Sequence, residues 1–155
     1  MEYRHTQIGK TAIFVLVWGL IVVLLSAVVS EDGGSAVVAV GFITLVISLV
    51  VYLFSRLTVA ITAGVVSVSF GFGWPKRTFA ITDITGFEQI RNRWYLGWGV
   101  RKIPGGWMFN VWGLDAVELT MSSGKKFRIG TDEASDLLAA LTVHTGLSPG
   151  NAGKG

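Results

Sequence analysis

Two kinds of hydrophobic pattern divide this chain. The first is continuous. "TAIFVLVWGLIVVLLSAVVS" (11–30) and "AVVAVGFITLVISLVVYLF" (36–54) run for twenty and nineteen residues without a charge. At a rise of about 1.5 Å per residue each reaches roughly 30 Å, the thickness of a bilayer's hydrocarbon core. Each holds thirteen Leu, Ile, Val or Phe. At about 0.3–0.6 kcal/mol apiece, insertion is favoured by roughly 4–8 kcal/mol per segment. Many of these residues are β-branched, which in water suggests strands; in lipid a lone strand leaves its backbone groups unpaired, so helix is expected.

The five-residue link "EDGGS" (31–35) predicts a transmembrane helical hairpin over 11–54. Gly19 and Ser26 share one helix face, and Gly41, Thr44 and Ser48 share another, so the two helices are expected to pack closely on each other. A cleaved signal peptide is the competing reading of the first run. Its apolar stretch is too long for that, and "SAVVS" is a poor cleavage site.

The second pattern begins at Leu57 and is short alternation. "LTVAIT" (57–62), a turn at Ala63-Gly64 and "VVSVSF" (65–70) predict a hairpin, and "GFGWP" (71–75) breaks it. "KRTFAIT", "GFEQIR", "WMFNVWG" (107–113), "AVELTMS" (116–122) and "KFRIG" (126–130) read as further strands. Thr131 is the expected cap of a final helix. Asp132, Glu133 and Asp136 complement its positive end, and Ala134, Leu137, Leu138 and Leu141 form its apolar stripe. Gly146 ends the helix, and the tail 145–155 is expected to be flexible. The expected fold is therefore a two-helix hairpin followed by a mainly antiparallel β domain over 57–144. That domain has about seven strands, forms a partly open barrel or an orthogonal sandwich, and is capped by a C-terminal helix.

Charge adds orientation. Arg4 and Lys10 precede the first span, Arg56 follows the second, and the link carries only Glu31 and Asp32. The positive-inside rule places residues 1–10 and the β domain in the cytoplasm, in a multi-pass plasma-membrane protein. From Ser55 onward there are 11 Lys or Arg against 7 Asp or Glu, short of the concentrated stripe that nucleic acid requires.

The hairpin, the strands and the pieces "GWGVR", "NVWG" and "AVELTMSSGKKFRIGTDE" together resemble the bacterial pleckstrin-homology-like domain membrane proteins, over roughly residues 57–144. The resemblance implies seven strands and a capping helix, and it brings no catalytic residue. Pleckstrin-like domains elsewhere bind phosphoinositides, peptides or proteins. The basic pair of the lipid-binding kind is missing from the first hairpin, whose turn is Ala63-Gly64.

Candidate chemistry is sparse. No cysteine is present, and His5 and His144 stand at opposite ends of the chain. The serines at 67, 69, 122 and 123 lie outside any nucleophile motif, and Gly124-Lys125-Lys126 lacks the rest of a phosphate-binding loop. Asp115 and Glu118 read as solvated carboxylates. No enzyme, cofactor or metal is expected.

One stretch stands out. "RNRWYLGWGVRKIPGGWMFN" (91–110) interleaves basic and aromatic residues with glycines. Arg91, Arg93, Trp94, Trp98, Arg101 and Lys102 are the candidate contacts to membrane or partner. Beneath an anionic leaflet each basic residue adds about 1 kcal/mol, and Trp favours the headgroup zone. A structural reading competes: the glycines turn the chain while Trp107 and Phe109 alternate into a core. A groove for a protein partner is a third reading, and Glu88, Asp115 and Glu118 argue against a nucleic-acid track. The function expected is a membrane-anchored, non-enzymatic interaction or scaffold module, with a protein partner and anionic lipid as candidate ligands. The alternative is a lipid- or small-ligand-sensing module.

Overall fold

A computed structural model of the chain describes residues 2–29, 34–97 and 99–150. Most of the link (30–33), Trp98 and the end of the tail (151–155) lie outside the described residues. Strand β1 (Tyr3–Ile8) comes first, then helices α1 (Thr11–Val29) and α2 (Ser35–Phe54). Eight strands follow: β2 (Arg56–Thr62), β3 (Val65–Phe70), β4 (Lys76–Ala80), β5 (Ile84–Arg91), β6 (Gly99–Ile103), β7 (Gly106–Asn110), β8 (Asp115–Met121) and β9 (Lys126–Gly130). Helix α3 (Ala134–Thr145) closes the fold.

The strands form two sheets, ordered β1-β2-β3-β4 and β5-β8-β9-β7-β6. All pairs are antiparallel except β7 with β9. Alternation along β2 and β3 sends Leu57, Val59, Ile61, Val66, Val68 and Phe70 into the core. From the other sheet Phe87, Phe109, Val117, Leu119, Phe127 and Ile129 meet them. At one edge Gln7 of β1 donates through Nε2 to the carbonyl of Trp112, beyond β7. At the other edge Phe79 of β4 stacks on Phe127 with ring centres 4.7 Å apart. The second sheet's strands thus run from the β1 edge of the first sheet to its β4 edge, so the sheets cross. Helix α3 lies on β5, β8 and the 3-10 turn Ile81–Asp83, burying Ala134, Leu137 and Leu141.

The β domain has more strands than the expected seven, and its N-terminal segment is part of it. Strand β1 pairs along its whole length with β2, from Tyr3↔Ile61 to Ile8↔Arg56. Its sequence "YRHTQI" turns Tyr3, His5 and Gln7 inward rather than aliphatic residues, so the usual strand signal is absent. His5 finds its partners at the start of α3. His5 Nε2 lies 2.8 Å from an Asp132 oxygen, and Nδ1 lies 3.0 Å from a Glu133 oxygen. Strand β6 is the other addition. It is an edge strand with only its last residue, Ile103, buried.

The described part of the tail, up to Gly150, departs from expectation. Gly146 ends α3 in the left-handed conformation, φ 72°, as its type allows. Beyond it Leu147 packs against the core and Gly150 donates its backbone N–H to Phe87. Residues 146–150 thereby cover the free edge of β5, a usual liability of sheets. Thr131 stands just before α3 rather than at its cap position; its Oγ1 accepts from the backbone N–H of Glu133.

The hairpin leaves the domain through a clasp, where Gly9 N–H donates to the Ser55 carbonyl at 2.6 Å. Helices α1 and α2 pack together. A Cβ at Gly19 would stand 2.6 Å from Thr44 Cγ2 and 3.6 Å from Ser48 Oγ, whereas Gly41 faces open space. Residues Val37–Phe54 of α2 form a helix long and apolar enough to cross a membrane, and none of that stretch is buried by the protein. The described apolar part of α1, Ile13–Val28, is shorter.

Glu118 corrects another expectation. It is only 3% exposed rather than solvated. Arg128 grips one carboxylate oxygen through Nε and Nη2 at 2.9 and 2.6 Å, and Lys126 Nζ donates to the other at 2.5 Å. Burial pushes its pKa up, but the hydrogen bonds and charges of Lys126 and Arg128 outweigh burial and hold it below the ordinary 4.5. A carboxylate with a depressed folded pKa adds stability above its unfolded pKa and loses it as pH falls through the folded one. Glu118→Gln is therefore expected to destabilise the detergent-solubilised chain at neutral pH by about 1.5–3 kcal/mol. In denaturant titrations the difference from the parent should shrink below pH 4.5.

Candidate functional site

The basic-aromatic segment is split by the fold. Arg91 ends β5, while Arg101 and Lys102 lie on β6, the opposite edge of the same five-stranded sheet. Four strand spacings of about 4.8 Å put roughly 19 Å between those edges. Residues 92–97 lead off the sheet's end between them. Trp94 and Tyr95 sit in a single 3-10 turn there, exposed, with their rings edge to face. Arg93 Nη1 donates to the Tyr95 hydroxyl at 3.0 Å, so this cation is held along the loop. Asn92 is buried and accepts from Arg128 Nη1, which anchors the loop to the Glu118 cluster. Trp98 lies outside the described residues.

The two edges also differ in their distance from the hairpin. Phe54, the last residue of α2, stacks on Phe70 at 5.6 Å, and Phe70 stacks on Phe109 of β7 at 5.1 Å. Strand β6 lies next to β7 and so belongs to the hairpin side. Strand β5 follows the 81–83 turn, whose Ile81 N–H donates to Gly64 at the far end of the first sheet. Arg101 and Lys102 are thus near the hairpin, and Arg91 is remote from it.

Lys102 joins a different cluster. It pairs in register with Trp107, as Val100 does with the buried Phe109, so Lys102 and Trp107 face between the sheets. On the other wall Arg77 and Phe79 of β4 pair with the fully buried Val68 and Val66, so they point inward too. Both β4 and β6 are edge strands. The corner between them is a groove of about 640 Å³, floored by Phe127 and bordered by Ser122, Ser123 and Lys125 of the β8–β9 turn. Lys126 also borders it, its ammonium being bound to Glu118. Asp83 is the groove's acid.

Trp107 corrects its expectation in part. It shares the inner face with Phe109, but it lies where the first sheet no longer covers it and is 44% exposed. Sequence reasoning missed Arg77 and Phe79 altogether, and weighed Lys125 only within an incomplete phosphate-binding loop. The "KRTF" and "GKKF" stretches each set basic residues beside Phe, the only signal available, and nothing local says that they face each other.

A second, smaller cavity of about 260 Å³ lies where β1 meets α3, between Tyr3, Asp136 and His144. Burial, then the nearby Glu133, Asp136 and Asp132, raise the Tyr3 pKa to about 12, which keeps its phenol neutral. Among the described residues no three His, Cys, Asp or Glu converge as metal ligands would. Compared with protein-family models and with curated proteins, the chain matches none.

Cations on two facing walls with aromatic rings between them suit an anionic ligand that also carries apolar surface. A short fluorescent polyglutamate peptide is therefore expected to bind the chain in a salt-dependent way. Reversing both walls, Arg77→Glu with Lys102→Glu, should weaken that binding about three- to tenfold, as expected for two exposed charge contacts. Arg91→Glu should leave it unchanged in the same anisotropy titration.

Proposed function

We propose that this chain is a non-enzymatic interaction module anchored in the plasma membrane by the α1–α2 hairpin, with its β domain in the cytoplasm. One observation carries the reading. Strands β1 and β2 flank the hairpin in sequence and are neighbours in one sheet, with Ile8 opposite Arg56. Both ends of the hairpin therefore emerge side by side from one face of one domain. A single crossing would separate them across the membrane. Once α2 spans, α1 must return the chain, and its nineteen residues carry no charge. The basic residues Arg4, Lys10 and Arg56 at the domain side and the acidic Glu31 and Asp32 in the link support a cytoplasmic domain.

The β domain is read as pleckstrin-homology-like, its two sheets and C-terminal helix supporting that comparison. Its working surface is the hairpin-side edge formed by Arg101 and Lys102, together with the corner groove. An acidic segment of a protein partner fits the edge strands and the charge. The groove's size favours a second reading, in which the module senses a small anionic or lipid ligand.

The chain has no cysteine, so single cysteines report topology cleanly. In intact cells a membrane-impermeant maleimide is expected to label Asp32→Cys in the link. Thr62→Cys, on the far end of β2, should label only after permeabilisation. Labelling of both from outside, or of Thr62→Cys alone, would refute the proposed anchoring.

A further inference from the structure

The turn between β3 and β4 has no role in either the groove or the 91–102 segment, yet it exposes two large aromatic side chains. It reads "GFGWP", and Phe72 is 83% exposed and Trp74 78% exposed. Two large aromatics mostly exposed on one short turn mark a contact surface rather than a core. The turn's place in the fold identifies what it contacts.

Its backbone is fixed against the end of α2. Gly71 N–H donates to the Arg56 carbonyl at 2.9 Å, Phe70 N–H to Pro75 at 3.0 Å, and Gly73 N–H to Phe70 at 2.7 Å. Gly71 has φ +44°, and a Cβ there would stand 2.2 Å from the Leu53 carbonyl oxygen. The turn thus lies directly on the last turn of α2, and only glycine permits that approach. The Phe72 ring stands 6.3 Å from the Tyr52 ring, which also carries the Arg56 guanidinium 5.2 Å from its centre. Tyr52 is two residues, about 3 Å, inside the helix end at Phe54. If the apolar stretch of α2 occupies hydrocarbon, Phe72 reaches the depth where that hydrocarbon meets the headgroups. Lys10, Arg56 and Lys76 are exposed at the same end of the sheet.

We propose that the Gly71–Pro75 turn is a membrane wedge. Phe72 and Trp74 insert at the headgroup boundary of the leaflet in which α2 ends, and Lys10, Arg56 and Lys76 meet anionic headgroups around them. The wedge gives the β domain a third attachment beside the two helix ends. It fixes the tilt that a two-point tether leaves free. Lipid is the occupant because the patch continues the apolar surface of α2 and is ringed by cations, as interfacial anchors are. The inference rests on the proposed anchoring of α2, and its test separates the two.

The full chain, carrying one cysteine at a time, is reconstituted in nanodiscs of phosphatidylcholine with phosphatidylglycerol and labelled with an environment-sensitive fluorophore. Quenching is read from a nitroxide carried on the lipid near the headgroup and from iodide in the water. Leu45→Cys, midway along α2, reports whether that helix is in lipid; Thr62→Cys, at the far end of β2, reports free solvent. Labels at Phe72→Cys and Trp74→Cys are expected to be shielded from iodide and quenched by the lipid nitroxide several times more than the label at Thr62→Cys. Both replaced side chains are exposed, so the fold should be unaffected. Iodide quenching at Leu45→Cys would defeat the anchoring and the wedge together. Lipid contact at Leu45→Cys with Phe72→Cys and Trp74→Cys as open to iodide as Thr62→Cys would overturn the wedge alone. Labels at both wedge positions shielded from both quenchers would mean that protein covers the turn, which also overturns it.

Discussion

The pairing of β1 with β2 is the constraint on which the rest of the molecule depends. Helices α1 and α2 are an insertion between two neighbouring strands of one sheet, and the Gly9–Ser55 bond closes the insertion at its base. Residues paired across an antiparallel ladder stand about 5 Å apart. The helices therefore leave the domain side by side and antiparallel, and Gly19 lets them stay in contact. The protein buries none of the apolar stretch of α2, and most large side chains of α1 are likewise exposed. Whatever medium takes up the surface of one helix has to take up the other.

Periodicity made much of this legible in the sequence. Period-two alternation located β2, β3, β8 and β9 within a residue or two, and the apolar stripe and Gly146 located α3. The two strands that escaped share a cause: each is stabilised by something other than aliphatic burial. Strand β1 turns His5 toward Asp132 and Glu133, partners 127 residues away in the chain and more. Strand β6 sits at an edge and needs only one neighbour. The candidate site was legible as composition but not as geometry. Arg91 and Lys102 are close in sequence, yet a five-stranded sheet separates them, because β7, β8 and β9, which follow both residues in the chain, fill the space between. Conversely Arg77 and Lys102 face each other although they come from different sheets.

Glu118 illustrates how local pattern misjudges an outer face. Alternation correctly turns it away from the core. Register then lines up Glu88, Glu118, Arg128, Met108 and Arg101 across the sheet. Arg128 and Lys126 close over the carboxylate, and Arg128 also reaches Asn92. The cluster ties the central strands to the loop that leads off the sheet's end. Removing both cations would leave the buried carboxylate uncompensated, which costs more than the cluster itself contributes.

Strand β4 connects the two surfaces to which the proposals assign work. It begins where the Gly71–Pro75 turn ends, and its inward residues Arg77 and Phe79 form one wall of the groove. The proposed wedge and the groove are thus ends of one rigid strand, not separate modules. Under the proposed anchoring, the tilt imposed by Phe72 and Trp74 decides whether the groove opens toward headgroups or toward the cytoplasm. Because tether and wedge belong to one chain, the wedge acts at high local concentration, and a weak contact suffices to set that tilt. Charge then acts on a domain already oriented. Under the same anchoring, Lys102 at the groove and Arg101 beside it, on the hairpin-side edge, are the cations of this sheet nearer the leaflet. Arg91, on the far edge of the sheet, is the more remote one.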